Sequence, residues 1–335
     1  VNRTSAPKRL VAVVVTFNRL EKLKETLHRL LESPVEELSS VVVVDNASTD
    51  GTGDWLSSLT DDRLDLILSD TNTGGAGGFE MGMRHAMEAH QPDWLVVMDD
   101  DGRPEPGALA IFHGLPDGKW DAVAAAVYFP SGEICEMNRP SRNPFWHWKE
   151  FLRTLAGGGR SGFHIPPSAY DGEGFQIDVT SFVGFFVSAE MVRRIGYPDP
   201  ALFIYGDDGI YTLGLSKSGG RIGFEPSVRF EHDLTSFSDQ AAQSQGKVVQ
   251  RGRLSPLWKV YYYHRNLLIM YRLAAGVLFW PALLVVLPKW IAKSRHYGEE
   301  KSTFLRLLKH SIIDGIGKRR HATFAEIRKI AKPDS

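Results

Sequence analysis

Asp99, Asp100 and Asp101 follow directly on Trp94-Leu95-Val96-Val97-Met98, a short apolar run with the composition of a buried strand. Adjacent carboxylates at a strand exit raise one another's pKa and destabilise the fold unless a cation neutralises them. In open α/β sheets the carboxyl end of a strand is also where ligands collect. A divalent metal held by hard oxygen donors satisfies both conditions, and a metal in such a cleft commonly handles phosphates. The competing reading is a solvated acidic turn shaped by Gly102 and Pro104.

Three more polar clusters stand after apolar runs upstream. Thr16-Phe17-Asn18-Arg19 closes the run from Leu10, Asp45-Asn46-Ala47-Ser48-Thr49-Asp50-Gly51 follows Val41 to Val44, and Asn72-Thr73-Gly74-Gly75-Ala76-Gly77-Gly78 follows Leu64 to Leu68. Singly, each is compatible with a capped turn. Together, in a doubly wound sheet, they converge on one crevice.

The elements needed for that arrangement are legible. Leu10 to Thr16 is a continuous β-branched run, as in a parallel strand covered on both faces. Leu20, Leu23, Leu27, Leu30 and Leu31 share one helical face; Thr52 to Leu59 and Phe79 to Ala89 are expected as further helices. Alternating β and α units predict an α/β, Rossmann-like, doubly wound and mostly parallel sheet. Strands are also predicted at Ala122 to Tyr128 and Phe182 to Ser188. Between them lies a loop-rich insertion from Cys135 to Gly174, holding Phe145-Trp146-His147-Trp148 and the glycine-rich stretch 157–162. Those aromatics fit a substrate contact or a small packed subdomain.

Composition excludes several classes. With 39 basic and 40 acidic residues among 335, no global field favours nucleic acid. The single cysteine, Cys135, excludes an internal disulfide and a multi-cysteine zinc site, and fits a reducing cytoplasm. Val1 to Arg9 lacks the apolar core of a signal peptide. A dinucleotide-binding dehydrogenase needs glycines between the first strand and first helix, where this chain has Thr16-Phe17-Asn18-Arg19; a P-loop lysine-serine pair is also missing. A metal at Asp99 to Asp101 would then carry the phosphate work, with Asp45 free to bond a base or ribose.

Thr16-Phe17-Asn18-Arg19, the Asp45-Asn46-x-Ser48-x-Asp50-Gly51-Thr52 segment and the strand-end Asp99-Asp100-Asp101 resemble the inverting, GT-A fold glycosyltransferases of family 2. The resemblance continues through Gly184-Phe185-Phe186, Leu202-Phe203-Ile204-Tyr205-Gly206-Asp207-Asp208 and Phe230-Glu231-His232, covering roughly residues 9 to 235. Within the family, the Asn72 to Phe79 segment and the Asp pair are most similar to galactofuranosyltransferases, with rhamnosyltransferases next. Gly206 departs from the former, which carry Trp before the Asp pair; the departure bears on the donor sugar more than on the reaction.

The resemblance implies a nucleotide-sugar donor, most simply UDP-galactofuranose, with dTDP-rhamnose the alternative, and a Mg²⁺ or Mn²⁺ cofactor. It assigns Thr16, Asn18, Arg19, Asp45, Asn46, Asn72, Gly74, Gly75, Gly78, Asp99 and Asp100 to the donor, and Asp99, Asp101 and His232 to the metal. Asp208 is assigned as catalytic base, with Asp207 capping the following helix or touching acceptor. His147, His164 and His264 have no such support. Tyr261-Tyr262-Tyr263-His264-Arg265-Asn266 is similar to a Tyr-x-x-Arg-Asn signature found after the catalytic domain of such transferases; Arg265 there meets a phosphate or makes a structural salt bridge. Rivals from other classes are a metal-dependent nucleotidyltransferase and a non-catalytic carbohydrate-binding protein.

The expected organisation is a transferase domain over 9–253, with a nucleotide-binding half 9–101 and an acceptor half 102–253, and a helical extension over 254–335 that ends in the basic Lys318-Arg319-Arg320. Within the extension, Leu273 to Leu287 is almost wholly apolar and is followed by Lys289, Trp290, Lys293 and Arg295. It is shorter than the roughly 20 residues a spanning helix needs, and Pro281 is expected to kink it. Trp and Lys at its edge suit a helix lying in the membrane interface; a packed core or dimer helix explains the apolarity equally well. The expectation is a cytoplasmic protein at the inner face of the plasma membrane, acting on a glycan or lipid-linked acceptor, with homo-oligomerisation left open.

Overall fold

A computed structural model describes residues 8–234, 253–317 and 322–332. Lys318 to Arg320 and most of Val1 to Arg9 lie outside the described residues. The chain divides into two compact units, one comprising residues up to Pro200 with Tyr211–Leu234, the other Ala201–Ile210 with the chain from Thr235 onward.

The first unit is built on a nine-stranded sheet: β1 Leu10–Thr16, β2 Ser40–Asp45, β3 Leu64–Leu68, β4 Trp94–Asp99, β5 Gly102–Pro104, β6 Ala122–Tyr128, β7 Phe175–Ile177, β8 Phe185–Ser188 and β9 Ile222–His232. Their order is β3-β2-β1-β4-β8-β6-β9-β5, with β7 also on β9. β1 pairs in parallel with β2 and β4, and β2 with β3. Beyond β4 the sheet is mixed. β8 runs antiparallel to β4 and β6, β6 and β9 are parallel, and β5 and β7 run antiparallel to β9. The sheet is therefore less parallel than the sequence pattern predicts. Antiparallel neighbours need no crossover helix, so the long irregular insertion can stand between β6 and β8.

Every residue of β1 is buried. Val11, Val13 and Val15 join a core with Phe79 and Met83; Leu10, Ala12 and Val14 join another with Leu23, Leu27 and Leu30. Side-chain alternation along the strand thus fills both layers. The Gly74–His85 helix begins five residues before the predicted Phe79, taking in the glycines that intrinsic propensity excludes from a helix. A Cβ on Gly78 would stand 2.5 Å from Val15, and one on Gly82 2.5 Å from Val13. Close packing of this helix on β1 overrides propensity. β8 begins at Phe185 rather than Phe182, because Gly184 adopts φ +66 and a Cβ there would meet the Phe230 ring at 2.7 Å.

The second unit contains helices Lys259–Ala275, Phe279–Ala292, Lys301–Ile316 and Phe324–Ile330. Thr323 and Glu326 form a reciprocal capping box at the last of these. Pro281 does not kink the apolar segment. It lies in the first turn of Phe279–Ala292, where the backbone N–H it lacks has no intrahelical partner to lose. The stretch Lys259–Ile316 is long and apolar enough by composition to cross a membrane, yet it bends at Gly276 (φ 55) and Gly298 (φ 53). The 14-residue Phe279–Ala292 helix is about 21 Å long, short of a roughly 30 Å hydrocarbon layer. Phe279, Leu283 and Trp290 are buried, whereas Trp280, Leu284, Val285 and Ile291 are exposed.

Candidate functional site

In the first unit, the ends of β1, β2 and β4 and the start of the Gly74–His85 helix are joined by a polar network. Thr16 donates its hydroxyl to Asp100 Oδ2 at 2.7 Å, and Arg19 Nη1 reaches Asp101 Oδ2 at 2.5 Å and Asp100 Oδ1 at 3.2 Å. The Asp100 backbone carbonyl accepts from Thr26 Oγ1 at 2.7 Å, a contact the sequence did not suggest. Asp45 Oδ1 accepts from the Ser48 amide at 3.0 Å. Asn46 Nδ2 donates to the Gly74 carbonyl, and its Oδ1 accepts from the Thr73 amide and hydroxyl. Asn18, in the left-handed region at φ 54, accepts from the Thr49 amide through Oδ1 and donates its own amide to Ser48. Asn72 Oδ1 accepts from the Gly74 amide. These contacts bring Thr16, Asn18, Arg19, Asp45, Asn46, Asn72, Gly74 and Asp100 onto neighbouring turns. Gly78 differs: the structure gives it helix–sheet packing on Val15.

Asp100 and Asp101 are buried, with Arg19 only 26% exposed beside them. Burial, reinforced by Asp101 and Asp100, pushes Asp99 up to about 7. Burial pushes Asp100 up to about 6 against the pull of Arg19. Asp101 moves the other way. Burial opposes its charge, but the hydrogen bond and charge of His232, then Arg19, hold its carboxyl below the usual range. Burial likewise works against a charged His232, yet its bonds to Asp101 and Cys135 and the nearby carboxylates lift the ring to about 10. His232 Nε2 lies 3.1 Å from Asp101 Oδ1, and Nδ1 lies 2.7 Å from Asn138 Oδ1.

This pair fits a hard or borderline divalent cation. One imidazole nitrogen and one carboxylate oxygen already converge, and the ring's other nitrogen is held by Asn138, the kind of outer contact that orients a metal ligand. Binding would displace the proton His232 holds against Asp101. Asp99 does not complete a three-atom cluster with these two: among the described residues, the only group bringing three metal-capable side chains within 4.8 Å of one another is Asp65, His85 and His90. The chain turns at Asp100 and Asp101, so the strand alternation that would align Asp99 with Asp101 is lost there.

The second unit holds the Asp pair in a different way. Phe203, Tyr205 and Gly206 adopt φ 63, 69 and 75 immediately before Asp207; such conformations cost bulky residues about 1–3 kcal/mol each. The loop is fastened from the Lys259–Ala275 helix. Arg265 Nη2 donates to the carbonyls of Ala201 at 2.6 Å and Leu202 at 3.1 Å, and Nε donates to Asn266 Oδ1. Asn266 Nδ2 is shared among the carbonyls of Leu202, Ile204 and Tyr205 at 2.8–3.0 Å. Phe203 stacks on Tyr262 and Phe324. Arg265 is fully buried beside the Tyr261 and Tyr262 rings; Asn266 and backbone carbonyls take its Nε and Nη2 donors, and its buried Nη1 has no partner among the described residues. Asn266, quoted in the motif but given no role, is the residue sequence reasoning missed. Asp207 and Asp208 open the Asp207–Lys217 helix. Asp208 accepts from the Gly209 amide at 2.6 Å, and burial raises its pKa in spite of that bond.

The glycosyl transferase family 2 model matches residues 11–170, which include β1, β2, β4 and the whole carboxylate triplet. The chain carries a glycosyl transferase family 2 domain. Relatives agree with that assignment. The chain is 29% identical over 234 residues to an undecaprenyl-phosphate mannosyltransferase of Micrococcus luteus, an alignment covering 64% of this chain and 90% of that protein. It is 30% identical over 213 residues to the galactofuranosyltransferase GlfT1 of Mycolicibacterium smegmatis, covering 62% of this chain and 65%, just under two thirds, of that relative. Among solved structures, the mannosyltransferase PcManGT from Pyrobaculum calidifontis, in complex with GDP-Man and Mn²⁺, superposes with a TM-score of 0.53 at 18% identity over 94% of this chain and 89% of that one. Residues 1–349 of S. aureus TarS give 0.54 at 14% identity, over 92% of this chain and 81% of that one. At these identities the structural matches establish the GT-A fold of this glycosyltransferase and nothing finer.

Proposed function

We propose that the chain is a metal-dependent, inverting glycosyltransferase that moves galactofuranose from UDP-galactofuranose to a hydroxyl of a glycan or lipid-linked acceptor. The observation that carries this reading is the buried network joining Thr16, Arg19, Asp100, Asp101 and His232 at the strand ends, in a chain 30% identical to GlfT1. Asp45 and Asn46, on the neighbouring turn, bond the base and ribose in this reading. Asp101 and His232 hold the cation; when bound, a Mg²⁺ or Mn²⁺ ion offsets the negative charge that grows on the departing diphosphate. Asp208 takes the proton of the attacking hydroxyl, a task favoured by a carboxylate whose pKa burial has raised toward the working pH. Attack from the face opposite the leaving group inverts the anomeric centre without a covalent intermediate.

The exposed Trp280, Leu284, Val285 and Ile291, with Lys289 on the same helix and Lys293 at its C-terminal end, suit a helix resting in the interface of the cytoplasmic leaflet, where a lipid-linked acceptor is found. A second reading, mannose transfer to a polyprenyl phosphate, draws on the 90% coverage of the Micrococcus relative. One experiment separates these readings. The purified protein is mixed with Mn²⁺ and UDP-galactofuranose, dTDP-rhamnose or GDP-mannose, and thermal stabilisation and donor turnover are followed with and without chelator. Stabilisation and turnover by UDP-galactofuranose alone, abolished by chelator, support the proposal. Preference for another donor replaces the sugar, and chelator-insensitive binding without turnover in every case would overturn the enzymatic reading.

A further inference from the structure

We propose that Asp65, His85 and His90 form a second, independent divalent-cation site, suited to Zn²⁺, that fastens the C-terminal end of the Gly74–His85 helix to the edge strand β3. His85 Nε2 lies 2.6 Å and His90 Nε2 2.9 Å from the same oxygen, Asp65 Oδ2, and the three potential ligand atoms lie within 4.8 Å of one another. Two imidazole nitrogens and a carboxylate oxygen are a common zinc donor set. Tetrahedral coordination at about 2.0–2.2 Å places ligand atoms roughly 3.4 Å apart, so each imidazole needs to open from Asp65 Oδ2 by less than about 1 Å, and the two ring nitrogens, within 4.8 Å of each other, to close by at most about 1.4 Å. The side chains are 39%, 23% and 32% exposed for His85, His90 and Asp65, which leaves an entry path and room for a water as fourth ligand.

The backbone supplies a second observation. Residues five apart on an α-helix point about 140° from one another, and His85 and His90 should therefore diverge. The helix changes at Ala86–His90 into a π-turn, whose i→i+5 bonding brings such a pair onto one face; π-turns are uncommon and concentrate at functional sites. Asp65, at the second position of β3, meets them there. The site touches none of the residues assigned to donor, metal or acceptor chemistry. It ties down the far end of the helix whose first residue, Gly74, is bonded to Asn46 and Asn72.

The test is Zn²⁺ binding to tag-free protein by equilibrium dialysis, with Co²⁺ absorption as a report on nitrogen ligation, in the wild type, His85→Gln, His90→Gln and Asp65→Asn, and in His232→Ala to remove the other imidazole. The glutamines keep side-chain polarity and approximate size, and circular dichroism checks folding. Expected is one Zn²⁺ equivalent, with a raised melting temperature, that persists in His232→Ala and weakens by more than about 100-fold in either glutamine variant, beyond the usual loss for an outer-contact mutation. Equal stoichiometry and affinity in the folded wild type and glutamine variants would overturn the proposal, as would no binding by the wild type.

Discussion

The two units hold their carboxylates by opposite means. In the first, Asp100 and Asp101 stand at the end of buried parallel strands and are restrained by charge, from Arg19 and His232. In the second, Asp207 and Asp208 follow a backbone of positive φ restrained by side-chain donors to its carbonyls, from Arg265 and Asn266. Charge compensation offsets the cost of burying the first pair of carboxylates. Carbonyl bonding instead fixes the geometry of the loop that leads into Asp207 and Asp208.

The contrast is open to test at four points. The largest effect is expected at the base: Asp208→Asn should lower turnover by about 10³-fold while donor affinity, measured by titration calorimetry, stays within a few-fold. Wild-type turnover in this variant would remove Asp208 from the role. On the other side, Arg19→Ala leaves two buried carboxylates undercompensated and should cost about 3–5 kcal/mol of stability, seen in urea unfolding. Saturating Mn²⁺ should restore part of that loss if Asp101 is a metal site, and none of it otherwise.

Asn266→Ala removes a donor shared by three loop carbonyls and should cost about 3 kcal/mol, near the upper range for leaving buried groups unsatisfied. Its distinguishing signature is a fall in kcat with donor affinity preserved; an equal loss of donor affinity would place the loop on the donor side instead. The last effect is pH-dependent. Burial lowers His264 to about 4, against the raising influence of its bond to the Val260 carbonyl. Above pH about 6.5, the unfolded value, neither state binds this proton. As pH falls toward about 4 the unfolded state gains it and the folded state does not, so up to roughly 3 kcal/mol of stability is lost over that window. Replacing His264 with Gln should flatten the acid limb of the melting-temperature profile between those values, and an unchanged limb would assign the acid sensitivity elsewhere.

Much of the first unit was legible because its signals are local. The β1 run, the Leu20 to Leu31 face and the four polar strand ends sit where their periodicity and position put them. The Gly74–His85 helix was misplaced because a glycine-rich first turn is favoured only by the valines it packs against. β8 was foreseen as a strand, but nothing local sets its antiparallel direction, and β5 and β7, at three residues each, are too short to display a period. Arg265 was legible as important, but nothing in its neighbours reveals that it bonds carbonyls more than sixty positions away.

The sequence by itself determined the strand ends, the charge imbalance of the Asp99 to Asp101 triplet and the family, since each depends on residue type and short-range order. Only the tertiary structure decided which charges meet. That Asp101 is shared by Arg19 and His232, across 82 and 131 positions, that Asn266 fastens a left-handed loop, and that a π-turn brings His85 and His90 onto Asp65 all follow from distances between segments. Burial sets the strength of such contacts by removing water, and burial is a property of the folded chain.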